Sequence, residues 1–379
     1  MKKCWLVILH LAAVTGLGAC GGGSGGPPPV ASQFLYASVY IENAGVLTSA
    51  GIYVFSVGSA SGALSAVTGS PFAPTAGGGP IAITRDSRFL YSVDASGKLL
   101  AFMIQRDGSL SPVFGSPFAS PERPEVLVAH PTADFLYASG ASGKVLAFKI
   151  DPTSGAASLV FSIDTGGIIP YGAGITPDGQ YYYQDSDADA QVEAFSINAM
   201  TGALTAVPGS PFQLPGAASG NPGNLVIDST GKFLYVANLF SLMGFGEPTW
   251  AYSIDAASGS LTAVLESPFG SGGAGIEETA AIDASGKFLI VSLANYKFPG
   301  TNCLGVSSID ANTGALTAVP GSPFGTACGE LAADPSGPYI YSGGSGLITA
   351  YAIDPSSGAL TALNSVKVSG EVNSIVLTP

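Results

Sequence analysis

The residues best placed to do chemistry in this chain are carboxylates, amides and phenols at the ends of short apolar runs. Glu125, Tyr171, Asn224, Glu278, Glu330 and Asn373 each stand where such a run begins. Glu42, Asn238, Glu247, Asn295 and Tyr296 lie in or beside longer loops that follow one. Carboxylates can act as general bases or hold hard cations through oxygen. Asp185, Asp187 and Asp189 alternate like the opening of a calcium loop, although the Gly and downstream Glu of the EF-hand pattern are missing. Calcium or magnesium is the cofactor class these residues admit, and a solvated acidic rim or exposed loop is the alternative. Imidazole chemistry is nearly excluded. The chain has two histidines: His10 lies in an apolar leader, and His130 stands where later repeats have Asp228, Asp283 and Asp334. A Ser-His-Asp triad therefore has no base at the rim. Gly270–Gly275 spells GxGxxG, but no helix pattern follows it.

These residues recur at matching places in a repeat. The stretch 222–269 holds four apolar runs divided by turns rich in Ser, Gly and Asp, which are strand and turn signals. Its second run opens with Phe233-Leu234-Tyr235. Similar triplets begin at Phe34, Phe89, Phe135, Tyr181, Phe288 and Tyr339, with steps of 55, 46, 46, 52, 55 and 51 residues along the chain. A period near 50 with four strands per unit indicates an all-β seven-bladed propeller of four antiparallel strands per blade. A Ser-Pro-Phe tag ends five units, at Phe72, Phe118, Phe212, Phe269 and Phe324; units three and seven lack it.

The termini fix the architecture. The first unit has no strand before Phe34, and an unused strand, 372–378, lies at the far end of the chain. The expectation is that 372–378 joins the first blade and closes the ring, which leaves only short edges. Rim function is then expected where the inner-strand starts and the loops between second and third strands converge. The opposite face holds tight turns.

Residues 1–19 read as a secretory signal: Lys2 and Lys3, then an apolar core too short to span a bilayer. Leu17-Gly18-Ala19-Cys20 resembles a bacterial lipobox, which implies lipid on Cys20. Residues 20–32 form a Gly/Ser/Pro tether, and 33–379 the propeller. The membrane contact expected is the lipid alone, and Gly21 after the cysteine implies the outer membrane. Without Lys2 and Lys3 the chain carries 11 basic and 26 acidic residues, net −15. That excludes nucleic acid and anionic lipid surfaces as partners. Cys303 and Cys328 fall in loops expected on one face, so a disulfide is expected, with two free thiols as the alternative. A monomer is expected, with a small-molecule or protein ligand on the loop face.

The units Ile227-Asp228…Gly231-Lys232-Phe233-Leu234-Tyr235-Val236-Ala237-Asn238 and Tyr252-Ser253-Ile254-Asp255…Gly259-Ser260-Leu261-Thr262 resemble the lactonase-like seven-bladed propellers, which include 6-phosphogluconolactonases and carboxymuconate-lactonising enzymes. The resemblance implies a rim histidine after proline, together with arginine and glutamate. At the matching starts this chain has Pro124-Glu125, Pro170-Tyr171 and Pro222-Gly223, with Arg123 beside the first and no histidine. The catalytic candidates are thus Glu125, Arg123, Glu278 and Glu330, and the binding candidates Tyr171, Asn224, Asn373, Asn238 and Asn295. Two functions are expected: a non-catalytic binding or scaffolding propeller, or a lactone hydrolase using rim carboxylates or a bound divalent metal.

Overall fold

A computed structural model describes residues 33–379 except 44–45, 74–77, 167–169, 187–189, 217–220, 241–247, 271–275, 295–301 and 345. All described regular structure is strand. Seven antiparallel sheets follow one another along the chain, each ordered inner to outer as in the repeat. Blade 1 is built from both ends of the chain: Glu371–Leu377 inside, then Gln33–Asn43, Val46–Val57 and Leu64–Ala66. The closing strand runs one residue earlier than the sequence pattern indicates. It pairs with the first strand from Leu35↔Leu377 to Tyr40↔Glu371. Phe34 N donates to Thr378 Oγ1 at 2.9 Å, and Thr378 N donates to Phe34 O at 3.0 Å. Asn364 of blade 7 seals the outer edge, accepting from Leu64 N at 3.0 Å and donating to Leu64 O at 2.9 Å.

The aromatic triplet explains the stacking. Its Leu and Tyr lie on opposite sheet faces, and both are buried because each blade is covered on two sides. The Tyr hydroxyl reaches the next blade and donates to a turn glycine carbonyl: Tyr36 to Gly108, Tyr91 to Gly155, Tyr137 to Gly202, Tyr183 to Gly259, Tyr235 to Gly314 and Tyr341 to Gly62, at 2.7–3.1 Å. Blade 6 has Ile290 instead and lacks this bond. The glycine is required sterically. At Gly259, with φ +74, a Cβ would lie 2.3 Å from the Tyr181 ring.

The Ser-Pro-Phe tag completes the outer edge. In tagged blades the outer strand covers half of the third strand, and the tag phenylalanine pairs with the rest, as in Ile52↔Phe72 and Val192↔Phe212. Between them the tag serine hydroxyl accepts the third-strand N–H left over, for example Ala101 N to Ser116 Oγ at 3.0 Å and Val306 N to Ser322 Oγ at 2.9 Å. Blades 3 and 7 need no tag, because their outer strands, Ala157–Asp164 and Leu360–Lys367, each continue for eight residues across a bulge.

One tag departs from its siblings. Gly69, Gly115, Gly209 and Gly321 precede the tag serine at φ 87 to 91, whereas Glu266 holds the same position at φ 69. A side chain in this left-handed region costs on the order of 1 kcal/mol. Glu266→Gly is therefore expected to raise stability by about 1 kcal/mol, read as a higher denaturant midpoint at unchanged slope. An unchanged or lower midpoint would contradict the strain.

Candidate functional site

The inner strands do not start regularly, and their irregularities place the site. Proline at a strand start leaves no ladder donor unpaired, and a bulge follows it. In blade 3, Pro124 pairs with Gly140 and Val126 with Ser139, so Glu125 is the extra residue. The same register slip singles out Glu278, between Glu277↔Leu293 and Thr279↔Ser292, and Asn373, between Val372↔Val39 and Ser374↔Ser38. In blade 5 the register jumps from Pro222 to Leu225, across Gly223 and Asn224. A bulge bends the strand and re-aims one side chain. Four blades thus share one backbone device, and in three of them it brings a polar residue, Glu125, Asn224 or Asn373, to the cavity.

Blade 4 uses a different device. Asp185 Oδ1 accepts from Tyr171 N and Gly172 N, both at 2.9 Å, and this shapes the turn that presents Tyr171. Asp185 was expected in an exposed loop with Asp187 and Asp189. It is instead wholly buried inside the strand Tyr181–Ser186, where its carboxylate supplies the acceptor for the buried amide of Gly172 and the part-buried amide of Tyr171. Asp187 and Asp189 lie outside the described residues, as do Glu247, Asn295 and Tyr296. Among the described residues, no three His, Cys, Asp or Glu side chains form a group able to hold a metal.

A cavity of about 1510 Å³ opens on this face. Its lining brings together Glu42, Glu125, Tyr171, Asn224, Glu330 and Asn373 from six different parts of the chain. The sequence pattern missed Tyr40, Thr279 and Glu371, which also line it. Glu371 lay just outside the expected closing strand, so the one-residue shift of that strand is what hid it. Asn238, expected at the rim, is 5% exposed within the second strand of blade 5 and does not line the cavity. Among the described residues that line it there is no Lys or Arg. Arg123 stands beside the cavity with Nε 3.7 Å from Glu125 Oε1, and both side chains are well exposed. Such a pair contributes little to stability. One residue earlier, burial raises the Glu122 carboxyl above the usual carboxylate range, against the pull of Lys144.

The disulfide frames one side of the cavity. Cys303 and Cys328 are joined, with Cα atoms 5.8 Å apart. Cys328 lies in the segment 325–329 that lines the cavity between blades 6 and 7. Gly329 N donates to Ser292 Oγ at 2.7 Å, and Ser342 Oγ donates to Ala327 O at 2.8 Å, so both blades grip this segment.

His130 sits on the opposite face. Its Nδ1 accepts from Thr132 N at 3.1 Å and Ala133 N at 2.9 Å, and its Nε2 donates to Gly179 O at 3.0 Å. It caps a turn much as Asp228 does with Lys232 N and Phe233 N. The adjoining cleft of about 10 Å³ has no room for a ligand larger than water. Burial pushes the His130 pKa down, with Arg85 adding to the effect. The unfolded imidazole titrates near pH 6.5, so below that pH the unfolded chain binds a proton that the folded one refuses. Stability is therefore expected to fall as pH drops from 7.5 to 5. In His130→Asn, which keeps a neutral acceptor, this part of the fall should vanish from the melting temperature. Equal pH dependence in the two proteins would rule the account out.

Fold and site together define a seven-bladed propeller with a polar axial well fed by the inner strands. A sequence model described as "Lactonase, 7-bladed beta-propeller" matches residues 172–292 and 252–377, and the chain belongs to this family. Solved structures of the same fold include two proposed 6-phosphogluconolactonases. That of Bacteroides uniformis has 16% identity, TM-score 0.71, and coverage of 92% of this chain and 100% of that one. That of Bacteroides fragilis has 20% identity, TM-score 0.71, and coverage of 93% and 100%. The periplasmic gluconolactonase of Pseudomonas aeruginosa has 19% identity, TM-score 0.70, and coverage of 92% and 99%. At these identities the likeness is one of fold. No curated protein sequence matches the chain.

Proposed function

We propose that this protein is an extracytoplasmic propeller, tethered to the outer membrane through lipid on Cys20, that binds an uncharged polyhydroxylated ligand of the sugar-lactone class without hydrolysing it. The observation that carries the reading is the disposition of its groups. The well is lined by Glu42, Glu125, Glu330 and Glu371 with Tyr171, Asn224 and Asn373. The chain's one histidine outside the leader has both ring nitrogens engaged on the other face. Carboxylates and amides suit sugar hydroxyls, whereas four glutamates, with no Lys or Arg among the described lining residues, disfavour a phosphorylated substrate. Family membership favours the lactone class, and the lipobox and tether favour the anchored location.

The test is titration calorimetry of the purified protein with D-glucono-δ-lactone, alongside a hydrolysis assay with and without divalent metal. Binding without turnover above buffer is the expected result. The second reading, a lactone hydrolase with Glu125 as general base beside Arg123, rests on the same family membership and on that pair. Turnover that Glu125→Gln abolishes would establish it in place of the first.

A further inference from the structure

The cavity is not confined to the axis. Its lining crosses all four strands of blade 7, from Glu330 on the inner strand through Gly343 to Thr349 and Tyr351 on the third and Ala362 and Ser365 on the outer strand. Thr349 pairs with Ser365 and Tyr351 with Ala362, so these side chains share one sheet face. It is the face on which Tyr351 packs with residues of blade 6. Four strands about 4.8 Å apart make a radial arm roughly 14 Å long. The long untagged outer strand of blade 7 provides its far floor. The opposite wall is the segment 325–328 pinned by Cys303–Cys328.

The arm and the well differ in chemistry. Of the four lining glutamates, Glu42, Glu125 and Glu371 belong to blades 1 and 3 and Glu330 to the inner strand of blade 7. No described residue lining the arm beyond that inner strand is charged. The hydroxyls on its floor satisfy each other, Thr349 Oγ1 and Ser365 Oγ lying 2.9 Å apart. We propose that the arm is a subsite for an uncharged alkyl or acyl substituent on the ligand whose polar head occupies the well. This deepens the proposed function, since the head class comes from that reading and the tail from the arm alone.

The test compares two ligand series against the purified protein by calorimetry. One is D-glucono-δ-lactone against its 6-O-octanoyl ester; the other is methyl against octyl β-glucoside below its micelle-forming concentration. Each methylene buried multiplies affinity by about fourfold, so the long member should bind at least a hundredfold tighter. Ala362→Trp fills the arm from an exposed outer-strand position. It should erase most of that preference while the melting temperature and the affinity for the short member stay unchanged. If only the glucosides bind, with tail preference lost in Ala362→Trp, the arm stands and the lactone head falls. If the heads bind with no tail preference, or the preference survives in Ala362→Trp, the arm is overturned and the head reading stands. No binding in either series overturns the arm as well.

Discussion

Deleting residues 371–379 is expected to leave a chain without a cooperative fold. The deletion removes the inner strand of blade 1 and with it the whole ladder from Leu35↔Leu377 to Tyr40↔Glu371. Val372 and Ile375, at 8% and 7% exposure, belong to the cluster that joins blades 7 and 1. Their loss uncovers Leu35, Ala37 and Val39 along an unpaired edge of eleven residues, which is an aggregation template. The bonds of the 7–1 junction that remain, among them Tyr341 to Gly62, Asn364 to Leu64 and Gln33 to Asp334, cannot replace the inner strand. Thermal unfolding followed by circular dichroism should lose its sigmoidal transition, with the protein recovered as aggregate. Moving residues 371–379 to the front of Gln33 through a flexible linker should restore the transition, since it rebuilds the same sheet from one end. A truncated chain that melts like the intact one would refute closure.

Breaking the Cys303–Cys328 bond is expected to have the second largest effect. The loop it closes has a sequence separation of 25 residues, for which the chain-entropy account gives about 3.5 kcal/mol. Cys303 is 1% exposed within the core that joins blades 5 and 6, so the double Cys→Ser variant also places a hydroxyl among apolar neighbours. Reduction of the unmutated protein separates these effects. The denaturant midpoint should drop in reductant, by most of the drop seen in the double variant. Affinity at the well should fall too, because Cys328 and its neighbours line the cavity. A midpoint that does not move once the thiols are shown to be free would count against a stabilising role.

The fold was legible because it is written in local chemistry. The Phe-Leu-Tyr triplets, the Asp/Ser/Gly turns and the tags are short-range patterns, and their spacing alone counts the blades. The tag's purpose was not legible: the serine hydroxyl fills a gap in a strand some 15 residues away, as Ser116 does for Ala101. The site was half legible. Residues at inner-strand starts had to face the axis, and Glu125, Tyr171, Asn224, Glu330 and Asn373 do line the cavity. Asn238 was misplaced because strand and loop cannot be separated to one residue by pattern. Asp185 was misread because its partners, Tyr171 N and Gly172 N, are backbone groups with no sequence signature.

Sequence by itself determined seven repeated units, their closure by the tail, the placing of Cys303 and Cys328 on one face and the absence of a rim imidazole, whereas the structure showed the two cysteines joined. Each follows from residue type and period, or from counting two histidines. Tertiary structure alone decided which polar side chains meet, that bulges present them, and that the cavity runs outward across blade 7. Those outcomes rest on register shifts and on contacts between residues as far apart as Gln33 and Thr378. Contacts at such separations depend on how whole sheets stack, and no local pattern records that.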